Sequence, residues 1–360
     1  MAHGLNTLPM SRSDSVNNEI ERLVDRADLD ELVRYIDALC VNREWESLFR
    51  LRSLTRSAIT TGRQVWPATT LAEYRLALLA PAEWASQVLR EDASRFSIGP
   101  LTEVIAQNHP WSELAPYLEP GPQRDFVAYE RAMRGDVVHG DETSRGRTVL
   151  DIPLVIQSWE PDYLLPTYSD SGVDHPCPAD RWNHTWTPLS VDVNIEVVDI
   201  VDDEDTDDAL RQLVEPWVAN STGRARSIVV EGNEMDAFGA LGFENVEIAP
   251  LTSQQIVHWL TWCGASGGVH GRRRGMASGR FSAWWLLAAL GGFLDEWDEL
   301  QVAGELSSTL SEVIQSMEWS RWRTTHRYAY ELSLIGRDKN QGLTIVLRAY
   351  DDALAASAAS

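Results

Sequence analysis

Apolar residues between positions 15 and 135 recur at helical spacing. Ile20, Leu23 and Val24 share one face, and Leu29, Leu32, Val33, Ile36 and Leu39 share the next. The same period predicts helices near 44–60, 68–80, 81–91, 100–108, 111–118 and 122–134. Pro81, Pro110, Pro116, Gly99 and Gly121 supply the breaks. Short helices joined by short turns predict an all-α array of hairpins, or a small bundle, over 1–135. Asn42-x-x-Trp45-x-x-Leu48 and Asn108-x-x-Trp111-x-x-Leu114 spell the same motif. It is either a true internal repeat or a Trp that packs where a helix begins.

The polar, Gly-rich stretch 136–148 reads as a linker. Beyond it the period changes. Val149–Gln157 is a strand candidate, and the proline-rich 158–188 shows no sustained period. Leu189–Val201 alternates, with Val191, Val193, Ile195 and Val197 against Asp192, Asn194 and Glu196, which predicts a half-buried strand. A helix at 206–219, a strand at 226–231, a short helix near 233–241, a strand at 244–249 and a helix at 252–263 follow. Thr252-x-x-Gln255 spells a capping box for the last of these. Helices at 280–294 and 303–317 and a hairpin of Tyr328–Ile335 with Leu343–Tyr350 close the chain. The fold class expected is multidomain α+β or α/β. The all-α region comes first; then 149–360 forms an α/β domain with a mixed sheet, a terminal antiparallel hairpin and a buried central helix near 280–294.

Charge narrows the partners. The 360 residues carry a formal charge of −23, and Lys339 is the single lysine among 31 basic residues. Residues 151–224 hold sixteen acids against three arginines. Such a surface repels phosphates, which argues against bulk nucleic-acid or anionic-membrane binding. Cys40, Cys177 and Cys263 are too scattered for a disulfide framework or a metal knuckle. The first residues lack the apolar run of a signal peptide, and the longest apolar run, 281–294, is shorter than the ~20 residues that span a bilayer. A cytoplasmic protein is expected.

The candidate chemistry centres on Gly264–Arg280, "GASGGVHGRRRGMASGR", at the start of the apolar helix. Arg272, Arg273, Arg274 and Arg280 place positive charge where the helix dipole is already positive, at roughly 0.3–1 kcal/mol each. An anion between them would resolve the conflict, with the backbone of Gly267 and Gly268 and the ring of His270 beside it. Acids of the protein itself would resolve it equally well. Gly264-x-Ser266-x-Gly268 has the spelling of a nucleophile elbow but lacks the preceding strand, and no G-K-[ST] follows. Arg272-x-x-Gly275-x-Ala277 resembles the pyrophosphate loop of an acetyl-CoA-dependent acetyltransferase superfamily, which is fed by a strand.

Other clusters point less sharply. The acidic run Asp202–Asp208 lacks EF-hand spacing; Thr206 as N-cap, with Asp207 and Asp208 in the first turn, accounts for it. His175, Cys177 and His184 match no zinc spacing and lack a fourth ligand, so no metal is expected. Fifteen tryptophans are many for this length. Among them, Trp319, Arg321, Trp322 and Arg323 interleave rings and guanidinium groups; the patch either stacks a ligand ring or partner, or packs in the core.

The run "SGGVHGRRRGMASGRFSAWW", with "WLTWCGASGG" before it and "RW…RYAYEL…GLTIVLRAYDD" after it, resembles an uncharacterised actinobacterial family, a domain of unknown function, mainly over the last third of the chain and loosely over the helical N-terminus. That resemblance implies no activity, cofactor or catalytic residue. The residues lead to a non-catalytic cytoplasmic binding protein. Its helical region contacts a protein partner, and its Arg/Gly loop holds a phosphate-containing or acidic ligand. The alternative is an acyl-CoA- or nucleotide-dependent transferase using the loop for a pyrophosphate, which requires a strand leading into Gly264–His270.

Overall fold

The computed structural model describes residues 12–90, 99–139, 149–191, 199–338 and 340–352. The chain divides into two compact units, Met1–Val127 with Tyr168–Gly172, and Ala128–Thr167 with Val173–Ser360. The division falls inside a helix, Pro122–Met133. Of the expected linker, residues 140–148 lie outside the described residues.

The N-terminal region is helical, as its periodicity predicts. Its elements are α1 (Arg12–Arg26), α2 (Leu29–Val41), α3 (Trp45–Thr60), α4 (Trp66–Leu79), α5 (Ala82–Ala85), a 3-10 turn at Ser86–Arg90, α6 (Leu101–Asn108), α7 (Trp111–Leu114) and α8 (Pro122–Met133). The inward stripe of Ile20, Leu23, Leu32, Ile36, Leu48 and Leu51 is buried. Asp28 caps α2 by accepting from the Glu31 backbone N–H. Buried polar contacts interrupt the apolar core: Glu73 accepts from Arg52 at 3.1 Å and from Arg56 at 2.8 Å, and Glu103 accepts from the Tyr168 hydroxyl. Trp45 and Trp111 each open a helix, and Leu48 and Leu114 are fully buried, but α3 runs 16 residues and α7 four. The shared motif therefore opens helices of unequal length.

The second unit holds α/β structure ending in a hairpin. The short strands β1 (Thr167–Ser169) and β2 (Gly172–Asp174) surround the Tyr168–Gly172 segment of the first unit; after them in the chain come α9 (Pro178–Arg181), β3 (Thr187–Ser190), β4 (Ile200–Val201), α10 (Glu204–Leu213), α11 (Glu215–Ala219), β5 (Arg224–Glu231), α12 (Glu234–Ala240), β6 (Asn245–Leu251) and α13 (Ser253–Ala265). Then follow α14 (Met276–Gly291), α15 (Trp297–Ala303), α16 (Leu306–Ser316), β7 (Met317–Arg323), β8 (Tyr330–Asp338) and β9 (Leu343–Asp351). Seven strands pair in the order β3-β6-β7-β8-β9-β5-β4, antiparallel at every described pairing. No parallel pair arises among the described strands, because β5 and β6, the strands that flank α12, are separated in the sheet by β7, β8 and β9.

Alternation gives the sheet two different faces. One packs Trp322, Ile335, Val346, Ile228 and Val246 against Phe238 of α12. The other carries Trp319, Arg321, Leu334, Leu347 and Asp351 by register, and α13 lies over it. The Thr252/Gln255 capping box starts α13 as spelled. Next to it runs α14, apolar all round, with Trp284, Leu286 and Leu287 fully buried. The two helices cross closely enough at Gly279 that a Cβ there would sit 2.3 Å from the Thr261 carbonyl oxygen.

Four local expectations are corrected. Val149–Gln157 forms no strand, because side chains rather than a ladder take its carbonyls: Tyr129 donates to Ile152 O, and Arg280 to Pro153 O and Val155 O. Leu189–Val201 is not one strand. Its ends belong to β3 and β4 at opposite edges of the sheet, and 192–198 lie outside the described residues. The cap of α10 is Asp203, accepting from Thr206 N at 3.0 Å, so Thr206 lies inside the helix. Residues 317–323, for which no strand was expected, are the interior strand β7. Among the described residues no helix is long and apolar enough to cross a membrane.

Candidate functional site

Two of the four loop arginines serve the fold. Arg274 stands just before α14, where its charge opposes the dipole, yet its guanidinium reaches the C-terminal ends of two other helices. Nε donates to Gly264 O (2.9 Å) at the end of α13. Nη1 and Nη2 donate to Gln212 O (3.0 Å) and Leu213 O (2.9 Å) at the end of α10, and Nη2 also donates to Ser282 Oγ (2.9 Å). Positive charge on terminal carbonyls is the favourable pairing.

Arg280 is fully buried on an equally buried Glu160, with Nε on Oε1 at 2.6 Å and Nη2 on Oε2 at 2.7 Å. Glu160 also accepts from Gln157 N (2.8 Å), Tyr163 Oη (2.7 Å) and Trp284 Nε1 (3.0 Å). Burial alone would raise the Glu160 pKa; the charge and hydrogen bonds of Arg280 outweigh it and hold the carboxyl below its ordinary value. The N-terminus of α14 has its own carboxylate as well, since Ala277 N donates to Glu130 Oε1 at 2.7 Å. The anions that the loop demands are, at these positions, Glu130 and Glu160. A helix, α13, leads into the loop where the pyrophosphate reading needs a strand.

The glycines have steric duties. Gly268 adopts φ +68°, and a Cβ there would strike Asp351 and Trp217; a Cβ on Gly267 would strike the backbone of Gly271 and Arg272. Asp351 pins the turn to β9 by accepting from Val269 N at 2.7 Å, while Ser221 Oγ holds its other oxygen. His270 and Arg272 are exposed on this turn. Arg273 turns inward and donates to His175 Nδ1 at 2.7 Å.

From Arg273 the structure leads to the segments flagged elsewhere in the sequence. His175 stacks on Trp262 (ring centroids 5.8 Å apart, planes at 27°), and Trp262 meets Trp259 at 6.0 Å and Tyr330 at 5.7 Å. The Arg321 guanidinium lies 4.2 Å from the Trp259 ring centroid and 5.8 Å from that of Trp186. Trp182 meets His258 edge-on at 5.2 Å, and His184 meets Trp186 at 5.9 Å. Arg323 stacks on Trp186 at 3.9 Å and pairs with Glu247. Trp319 is buried on the same face of β7 as Arg321, whereas Trp322 belongs to the core of the other face. The Trp/Arg patch is thus split by the pleat, and only Arg321 and Arg323 reach the cluster.

The hydrogen-bond accounting of this cluster is one-sided. Arg321 has no hydrogen-bond or ion-pair partner among the described residues, and burial lowers its pKa, with Glu331 opposing. Burial first, then the charges of Arg273 and His258, push the His175 pKa down to about 2. Its Nδ1 accepts from Arg273, so its Nε2 carries the proton, and that buried N–H has no partner. Burial likewise pushes His258 down to about 4; its Nε2 accepts from Leu164 N at 3.3 Å, which leaves Nδ1–H buried without a partner. Trp259 Nε1–H and Trp262 Nε1–H are in the same condition, and His184 Nε2 is buried and unpartnered too. Every orphan whose hydrogen the bonding pattern fixes is a donor. Burial raises the pKa of Cys177 and of Cys263, so both thiols stay protonated.

Sequence reasoning flagged His175, Cys177, His184, Arg273 and Arg321 in three separate segments and did not join them. It missed His258, Trp182, Trp186 and Tyr330 altogether. The available signal was Trp density around β7 and α13, which periodicity assigns to the core.

The chain belongs to DUF6183, a family of unknown function, whose profile matches residues 30–352. The match reaches well beyond the C-terminal third that the sequence resemblance mainly covers. No curated protein matches the chain, and no solved structure does.

Proposed function

We propose that this chain is a non-catalytic binding protein that holds the oxyanion of a small ligand at Arg321. The observation that carries the reading is the donor excess around that guanidinium. A buried donor left without an acceptor costs about 1–3 kcal/mol. The buried N–H groups of His175, His258, Trp259 and Trp262 lack acceptors, and half-buried Arg321, with no hydrogen-bond or ion-pair partner among the described residues, stands beside them on the Trp259 ring. A carboxylate or phosphate supplies acceptors alone, and the indole faces suit a flat ligand body. In this reading the ligand expected of the 264–280 loop sits near Arg273, whose guanidinium reaches His175. Burial lowers the pKa of all three histidines of the cluster, His175 to about 2 and His258 to about 4, and keeps both thiols protonated, which favours binding over proton transfer.

In this reading the helical unit binds a protein partner. Val41 is 82% exposed and, with half-exposed Leu79, lines a cavity of about 480 Å³ that also takes in Arg43 and Arg75. Three free cysteines, one of them buried, suit a reducing compartment such as the cytoplasm. The net charge of −23 disfavours nucleic acid and anionic membrane as partners of the whole surface.

The test is titration with sulfate and inorganic phosphate against chloride of equal ionic strength, read by tryptophan fluorescence and melting temperature. A saturable response is expected in the parent and in Arg211→Gln, on the exposed face of α10, and is lost in Arg321→Gln. An Arg321→Gln protein that folds and responds as the parent does overturns the proposal.

A further inference from the structure

The opposite face of the sheet carries a second concentration of positive charge. Arg224 and Arg226 of β5 and Arg348 and Tyr350 of β9 line a cavity of about 230 Å³ with an apolar floor that includes Ile228 and Leu241. Register makes Arg226 and Arg348 direct cross-strand neighbours and sets Arg224 opposite Tyr350. Like charges directly opposite one another destabilise a ladder. Among the described residues no carboxylate forms an ion pair with any of the three arginines. Arg224 and Arg226 make no hydrogen bond or ion pair with a described residue. Arg348 has no carboxylate partner among the described residues; it is held by rings, 4.9 Å from Phe243, 5.5 Å from Trp322 and 5.0 Å from Tyr350. Arg226 also borders Asp202, Asp203, Glu204, Asp207 and Asp208 on its other side, none of which lines this cavity. Glu331, beside Tyr350 in register, accepts from Ser333 Oγ; Asp207, which borders Arg226 from the other side, takes Ser227 N and pairs with Arg211.

We propose that this cavity is a second anion site, built for a phosphate monoester with an apolar or flat body. Guanidinium forks match phosphate oxygens in pairs, and a dianion offsets the repulsion between Arg226 and Arg348. The floor and the Tyr350 ring, itself stacked on Tyr328 at 4.2 Å, take the body of the ligand. The site lies on the sheet face opposite Arg321 and shares no residue with that cluster.

Isothermal titration with phenyl phosphate and with inorganic phosphate, on Arg321→Gln protein, isolates this cavity. Phenyl phosphate binds once and about tenfold more tightly than inorganic phosphate, as burial of part of a ring predicts. Adding Arg224→Gln and Arg226→Gln abolishes that binding. Both side chains are exposed, so the ligand-free melting temperature stays the same or rises as repulsion is relieved. Arg226→Lys, which keeps the charge and removes the fork, weakens binding several-fold. Undiminished affinity in the Arg224→Gln/Arg226→Gln protein, equal affinity for the two probes, or loss of phenyl phosphate binding through Arg321→Gln alone each overturns the proposal.

Discussion

Arg280 and Glu160 bind each other through two charged hydrogen bonds, 2.6 and 2.7 Å long, with neither side chain exposed. Removing one member strands the other charge in the interior. Glu160→Gln or Arg280→Met is expected to cost about 3–5 kcal/mol, and the double replacement Arg280→Met/Glu160→Met less than either single change. The folded Glu160 carboxyl lies below its ordinary 4.5, so its contribution is complete above that value and is lost as pH falls through the lowered one. Urea midpoints measured downward from pH 6 should show an acid-side loss in the parent that Glu160→Gln lacks.

His175 gives a pH dependence at a higher range. In the fold it takes a proton only near pH 2; in the unfolded chain it takes one near 6.5. Below 6.5 the unfolded state therefore binds more protons, and stability falls steadily toward acid while remaining complete above 6.5. His175→Asn cannot titrate. Its melting temperature should decline less steeply than the parent's between pH 6.5 and 4, with His258 supplying the same residual slope to both. Equal slopes would mean that His175 does not remain neutral in the fold.

Local signals were legible and distant ones were not. The capping box at Thr252 and Gln255, the apolar circumference of α14 and the hairpin of β8 and β9 follow from spacing alone, because each is settled within one or two elements. The partners of the arginine loop are a different matter. Glu160 is 120 residues from Arg280, and Glu130 is 147 residues from Ala277. No local rule distinguishes those two acids from the others. The helix-dipole conflict at Gly264–Arg280 draws the eye to this loop, but no local rule says that Glu130 and Glu160 of the protein itself meet it there. Strand β7 was hidden because Trp319 and Trp322 point to opposite faces, both of which are covered, so no polar alternation shows.

The two adjacent indoles of α14 should differ in weight. Trp284 is fully buried, sits over Arg280 and donates to Glu160, whereas Trp285 is half-buried against Phe281 and Trp297. Trp284→Ala is expected to cost about 3–5 kcal/mol, as a large aromatic truncation in a core does. Trp285→Ala should cost clearly less. Chemical denaturation of the two variants decides it, and a reversed order would place the other face of α14 inward.

Arg274 offers the sharpest separation between structural and ligand-binding charge. Its donors reach the Gly264, Gln212 and Leu213 carbonyls and Ser282 Oγ, so it joins the ends of α10 and α13 to the start of α14. Hydrogen bonds from a charged donor contribute about 1.5–3 kcal/mol each at best, and they act here as a unit rather than as a sum. Arg274→Ala should therefore lower the melting temperature markedly in buffer without added anions, and Arg274→Lys, with a single compact head, should recover only part of the loss. Because the acceptors are neutral carbonyls and a hydroxyl, sulfate or phosphate should stabilise Arg274→Ala by the same increment as the parent, whereas Arg321→Gln should lose that increment and keep most of its anion-free stability. Melting curves of the three proteins with and without sulfate carry the comparison. If the increment vanished with Arg274 and survived without Arg321, the anion would be binding at the head of α14 after all, and the arginines of the loop would share it.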